Sequence, residues 1–125
     1  MKKELQDKLY EKYPKLYAQK DLDMKQTAMC WGIACGDGWY NIIDNLSQTI
    51  QDRADWINGE GYHEYRDMPE DHVKVAVEAV QVKEKYGGLR FYTNYSDSYI
   101  DGAISLAESL SLKTCETCGN LGEVN

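Results

Sequence analysis

Between Val73 and Tyr92 an alternating run of apolar and polar residues meets a glycine pair, Gly87-Gly88, and resumes its alternation beyond it. A two-residue period on both sides of a turn signal predicts a β-hairpin over about 73–95. A hairpin in so short a chain forces the remaining segments to be arranged around a sheet. Val73, Val75 and Val77 share one face of an extended chain, whereas Val80 and Val82 continue with the phase slipped by one residue. A bulge near Ala79 would produce that slip. After the glycines, Leu89 and Phe91 share a face while Arg90 and Tyr92 point the other way. The predicted hairpin therefore has an apolar side and a side carrying Lys83, Lys85, Arg90 and Tyr92.

Helical periodicity supplies the elements that cover the apolar side. Leu5, Leu9 and Tyr13 are spaced for one helix face, with Pro14 to stop it. Ala28 to Tyr40 is apolar but broken by three glycines, which predicts a short buried strand or loop and then a tight turn. Trp39, Ile42, Ile43, Leu46, Ile50 and Ile57 form the clearest helical stripe, with Asp37 placed to cap it and Asn58-Gly-Glu-Gly61 to end it. The polar stretch 62–71 holds Pro69 and reads as a surface loop able to act as a lid. Asn94 to Asp97 offers turn and cap residues, and Ile100, Ala103, Ile104, Ala107 and Leu110 make a third stripe. Thr114-Cys-Glu-Thr-Cys-Gly119 predicts a C-terminal cysteine knuckle.

The expected architecture is a single α+β domain over 1–125, with two to three helices packed against a small antiparallel sheet. The length of 125 residues and the 42% of apolar residues suit one core. A sheet of this hairpin's two strands alone would be short of the three usually needed for independent stability, which makes the segment Met29 to Cys35, or a second subunit, the candidate for another edge. The second alternative implies a homodimer or higher homo-oligomer.

Charge narrows the function classes. A net charge of −7 argues against a nonspecific hold on nucleic acid, which needs clustered cations to displace counterions from phosphates. No apolar run approaches the ~20 residues of a membrane span, and Met1 to Asp7 has charge without the apolar region of a secretory signal. Both point to the cytoplasm, where four cysteines are expected as thiols or metal ligands rather than disulfides. Ten tyrosines and three tryptophans against one phenylalanine suit half-buried margins and platforms for flat ligands.

The segments Gly36-Asp-Gly-Trp-Tyr40, Gln81-Val-Lys-Glu-Lys-Tyr-Gly-Gly-Leu-Arg-Phe-Tyr92 and Thr114-Cys-Glu-Thr-Cys-Gly119, in this order, resemble a group of small proteins of phages, prophages and bacteria, most of them uncharacterised. In longer relatives the knuckle looks to be followed by a second metal-binding half. The resemblance implies a phage setting, hence the host cytoplasm, and a role in blocking host defence, in some cases by sequestering a nucleotide signal.

Three constellations carry candidate chemistry. Cys115 and Cys118 have the spacing of half a tetrahedral zinc site, which Cys30 and Cys35, or His63 or His72, would have to complete; the alternative is a turn closed by its own hydrogen bonds, with Cys30 and Cys35 as small buried hydrophobes. Lys83, Lys85 and Arg90 can hold phosphates while Tyr92, Tyr86 and Trp31 or Trp39 stack on a base, with Tyr65 and Arg66 on a closing rim. That set predicts a non-enzymatic protein that captures a small anionic nucleotide-derived molecule; its plain alternative is a solvated strand end with tyrosines at the core margin. Trp56, Tyr62, Tyr65 and the carboxylates of 52–71 instead suit an acidic module that docks on and inhibits a host enzyme. A zinc-dependent hydrolase or nuclease is least favoured, for want of histidines and of a carboxylate-rich ligand motif.

Overall fold

The hairpin's first strand is the centre of a three-stranded sheet in the computed structural model, which describes residues 1–121. The elements are α1 (Lys3–Lys12), β1 (Ile33–Ala34), α2 (Tyr40–Asn58), β2 (Ala79–Lys85), β3 (Gly88–Thr93) and α3 (Ser98–Ser111), with short 3-10 turns at Ala18–Asp21, Ala28–Trp31, Asp37–Trp39 and Gly61–His63. β2 pairs with β3 antiparallel, Val82 opposite Phe91 and Lys83 opposite Arg90, and the register shifts between Ala79 and Gln81. The bulge expected from the valine phase slip is there. The third strand comes from the glycine-rich run: β1 lies parallel to β2, Ile33 opposite Val82 and Ala34 opposite Lys83. The sheet is thus mixed rather than antiparallel throughout. α2 lies in the connection, as parallel neighbours require a crossover.

The turn sits one residue earlier than the glycine pair suggests. Lys85 pairs with Gly88, so Tyr86 and Gly87 are the central residues, with φ of 54° and 81°. Positive φ at both positions is the two-residue hairpin turn whose twist matches the strands. Gly87 meets this demand freely; Tyr86 does not, and it is 89% exposed.

The valine arm before the bulge is shorter than its alternation predicts. Residues 73–78 lie outside the ladder, because side chains take the place of a neighbouring strand. The Asn58 amide accepts from Val75 N and donates to Val75 O, each at 2.8 Å. Asn94 does the same for the Glu78 N–H, at 2.7 Å, and the Ala76 carbonyl, at 3.0 Å. Val73 is left in solvent, whereas Val77 reaches the core.

The buried set joins α1 and the turn after it (Leu9, Leu16, Tyr17), α2 (Ile43, Leu46, Ile50), the sheet (Ile33, Val82, Leu89, Phe91) and α3 (Ile100). Tyr17 is buried without an orphaned hydroxyl because its oxygen and the Ser47 hydroxyl lie 2.7 Å apart. Asp97 caps α3 as expected, its carboxylate accepting from Ile100 N at 2.9 Å. Asp37 does not cap α2. Its carboxylate accepts instead from Lys2 N at 2.7 Å, at the entrance of α1, and α2 begins without a side-chain cap.

The outer edge of β3 is closed from within the chain. Leu89 N donates to the Ser111 hydroxyl at 2.9 Å and Phe91 N to the Glu108 carboxylate at 3.2 Å, both from the C-terminal half of α3. Exposed edge amides invite another strand; here two of them are already bonded.

Candidate functional site

The pleat sends Lys83, Arg90, Gln81 and Tyr92 to one side of the hairpin and Val82, Leu89 and Phe91 to the other. Lys83 and Arg90 are therefore direct cross-strand neighbours of like charge, an arrangement that costs stability. Among the described residues neither is within ion-pair distance of a carboxylate; every ion pair involves other cations. Among the described residues the Arg90 guanidinium donates only to the carbonyl of Leu89, at 3.0 Å. Lys85 stands 5.6 Å from the Tyr86 ring at the tip.

The hairpin does not gather the other expected ligand residues around it. Trp39 is 1% exposed and serves the core, with its indole N–H donating to Thr114 O at 3.0 Å. It cannot stack on a ligand. Trp31 is exposed but lines a separate cleft of about 320 Å³ with Gln6, Tyr10, Lys20 and Cys30. Tyr65 and Arg66 belong to the chain folded over the end of α2. None of the five cavities described on the surface is lined by Lys83, Lys85, Arg90 or Tyr92. Lys83 and Arg90 are half-buried, and the 62–71 stretch packs on α2 through Arg66 and His63 rather than over the hairpin.

That docking builds a second constellation. Arg66 lies with its guanidinium carbon 3.8 Å from the Trp56 ring centroid and donates to the Trp56 carbonyl. Arg53, one turn earlier on α2, lies 4.4 Å from the same ring and 5.0 Å from that of Tyr99 on α3. Stacked guanidiniums are attracted to the negative faces of aromatic rings. Arg53 is fixed in turn by Asp97, whose carboxylate accepts from its Nε at 2.9 Å. Burial would push the Asp97 carboxyl up, but the Ile100 amide and the Arg53 guanidinium outweigh it and hold the group below the usual carboxylate range. In the segment that follows α2, Tyr62 is 95% exposed, Tyr65 is also exposed, and the His63 ring stands 3.0 Å from Asp52 on α2. A small cleft of about 200 Å³ lies between Asp52, Arg53, Trp56 and Tyr99.

Trp56, Tyr62 and Tyr65 are residues the sequence singled out for docking, whereas Arg53 and Tyr99 are not. The Arg53-x-x-Trp56 spacing on one helix face was the available signal for the first. Tyr99 reaches the cluster only through the packing of α2 on α3, which leaves no local trace.

The cysteines do not assemble. Cys115 and Cys118 lie on a turn closed by Gly119 N donating to Cys115 O at 2.9 Å and Cys115 N to Asn120 O at 2.7 Å. The amides of Cys118 and Thr117 draw the Cys115 thiol below the usual thiol range. Cys35 is buried, which pushes its thiol up to about 12, and Cys30 is in the 3-10 turn ahead of β1. Among the described residues no three or more histidine, cysteine, aspartate or glutamate side chains are grouped to hold a metal. The four-sulfur set of Cys30, Cys35, Cys115 and Cys118 is therefore not formed there.

This turn has a structural partner instead. Gly38 N donates to Glu116 O at 2.7 Å. A Cβ at Gly38 would lie 2.2 Å from Cys115 O and 2.5 Å from Gly119 N, and one at Gly36 would lie 2.3 Å from Glu116 O. The Gly36-Asp-Gly-Trp39 turn and the Thr114–Gly119 turn thus interlock, backbone against backbone, with the Trp39 indole bonded across the joint.

No family model, curated protein or solved structure matches the chain. Among the described residues no helix is long and apolar enough to cross a membrane.

Proposed function

We propose that this chain is a non-enzymatic interaction module that docks on another protein through the surface built around Trp56. The observation that carries this reading is the Trp56 indole with the guanidiniums of Arg53 and Arg66 at 4.4 and 3.8 Å from its ring and with exposed Tyr99 in the same cleft, followed in the chain by exposed Tyr62 and Tyr65. Tryptophan, tyrosine and arginine dominate the energetics of protein interfaces. Stacking and the Arg53–Asp97 pair fix the side chains in advance, so little of their freedom is left to lose on binding. Asp52, Glu64, Asp67 and Glu70 surround the cluster in sequence and are exposed, which suits a partner with a cationic rim around an apolar pocket. The phage setting and the inhibition of a host defence enzyme belong to this proposal on the strength of the sequence resemblance alone.

The test is a capture experiment from a bacterial lysate with three immobilised baits: the natural chain, Trp56→Ala and Tyr62→Ala. The reading expects a band retained by the natural chain and weakened at least tenfold by either substitution. Identical retention by all three baits, or no retained protein, would refute it.

A second reading rests on the unneutralised Lys83 and Arg90 pair, with Tyr92 beside it and Tyr86 exposed at the tip. Two cations opposite one another without a carboxylate suit a phosphate-bearing ligand, including the nucleotide-derived anion expected from the sequence. None of the described cavities is lined by this pair, so such a ligand would be held by charge more than by enclosure and its affinity should fall steeply with salt. A nucleotide panel read by thermal shift tests it; an absent shift at low salt, or a shift that survives Lys83→Glu with Arg90→Glu, removes it.

A further inference from the structure

The groove between α2 and α3 differs from every other concavity described. It measures about 310 Å³ and is lined by Ile42, Asn45 and Leu46 on α2 and by Ala103, Leu106 and Leu110 on α3, among others, with no ionisable side chain among the described residues of its wall. Each of the other four cavities carries at least one charged side chain. In a chain with 35 charged residues, 14 cationic and 21 anionic, a charge-free wall is a departure from the rest of the surface. Leu106 and Leu110 follow the four-residue spacing of one helix face and stand at the rim, Leu106 at 62% exposure. The patch therefore presents projecting leucines beside a groove floored by alanines.

We infer that this face is where two copies of the chain meet, around a twofold axis, each placing Leu106 and Leu110 into the other's groove. The occupant follows from three observations. A twofold contact needs one patch that is both projection and recess, and this patch is. Two copies of net charge −7 repel one another, and the contact that brings the fewest like charges together is the uncharged one. The alternative route to a dimer, pairing along the outer edge of β3, is obstructed because Ser111 and Glu108 already occupy two of its amides. The area sets the strength. Fourteen residues of α3 span about 21 Å, and two helices about 10 Å apart give a face of roughly 400 Å², half the usual contribution of one partner to a stable complex. The dimer is accordingly weak, and it is independent of the Trp56 surface.

Analytical ultracentrifugation of the full chain from about 5 μM to about 1 mM tests this. The natural chain should move from 14.3 kDa toward twice that mass, and added salt should tighten the association by screening the repulsion. Leu106→Glu should raise the dissociation constant at least tenfold while leaving the far-ultraviolet circular dichroism and urea midpoint unchanged, because the side chain is mostly in solvent. Trp56→Ala should dimerise as the natural chain does. A natural chain that stays monomeric throughout the range overturns the inference, and so does a dimer that persists in folded Leu106→Glu.

Discussion

Two glycine-to-alanine substitutions should move stability in opposite directions. Gly38 and Gly102 both have negative φ, so a β-carbon at either position carries no left-handed backbone penalty, and the sign depends on what that carbon meets. At Gly38 it would meet three backbone atoms, Cys115 O at 2.2 Å, Gly119 N at 2.5 Å and Glu116 O at 2.6 Å. No side-chain rotation relieves a clash with backbone, so the Thr114–Gly119 turn must withdraw. Withdrawal breaks the 2.7 Å bond from Gly38 N to Glu116 O and the 3.0 Å bond from the Trp39 indole to Thr114 O. Losing one ordinary hydrogen bond and orphaning one buried donor together cost about 2–4 kcal/mol. At Gly102, on the exposed side of α3, nothing lies within 4 Å of the new carbon, and alanine gains about 1 kcal/mol of helix propensity. Urea unfolding followed by tryptophan fluorescence should show the midpoint falling for Gly38→Ala and rising for Gly102→Ala, with unchanged slopes. A Gly38→Ala midpoint within about 0.5 kcal/mol of the natural chain, the scatter of neutral surface changes, would refute the interlock.

Thiol reactivity should rank Cys115 first and Cys35 last, because backbone amides favour the thiolate of one and burial holds the other near 12; timed iodoacetamide labelling at pH 7.5 with peptide mass spectrometry reads the order directly, and early labelling of Cys35 would contradict it. Replacing Tyr86, which sits at φ 54°, with asparagine should stabilise the hairpin by about 1 kcal/mol, since asparagine tolerates that conformation; a lower urea midpoint would mean that the tyrosine ring makes a contact of greater value. Stability should also fall in acid. Glu60 is held below its ordinary range by hydrogen bonds from Lys15 and Lys74, and Asp44 likewise where bonds from Lys12 and Tyr13 outweigh its burial. A depressed folded pKa contributes stability above the unfolded value of about 4, and this is lost as the pH drops through the folded one. Urea midpoints should therefore decline below about pH 4, less steeply in Lys15→Met, and equal declines in the two proteins would rule Glu60's partner out.

Local chemistry accounts for what was readable from residues alone. The hairpin, its bulge, the α2 stripe and the Asp97 cap each depend on periodicity or on a side chain a few residues from its target. The unread parts depend on distant segments. β1 is two residues long and exists only because β2 lies beside it. The valine arm at 73–77 alternates like a strand, yet Asn58 and Asn94, 17 and 16 residues away from the groups they bond, replace its ladder. Asp37 precedes a helix but bonds to Lys2. Trp39 could be assigned to a ligand because its spacing fits the apolar stripe of α2 and a platform equally well; only the interlocked turns show it enclosed. Alternation puts the cations of the hairpin on one face, but whether that face is hollow is a property of its surroundings.

The closure of β3 by Ser111 and Glu108 has a consequence for how the chain is made. During synthesis the strand leaves the ribosome about twenty residues before the helix that seals it, so Leu89 and Phe91 spend that interval with free amides on an apolar strand. Chains terminated before Glu108 would carry this bare strand permanently, and such fragments should polymerise more readily than a chain that retains α3.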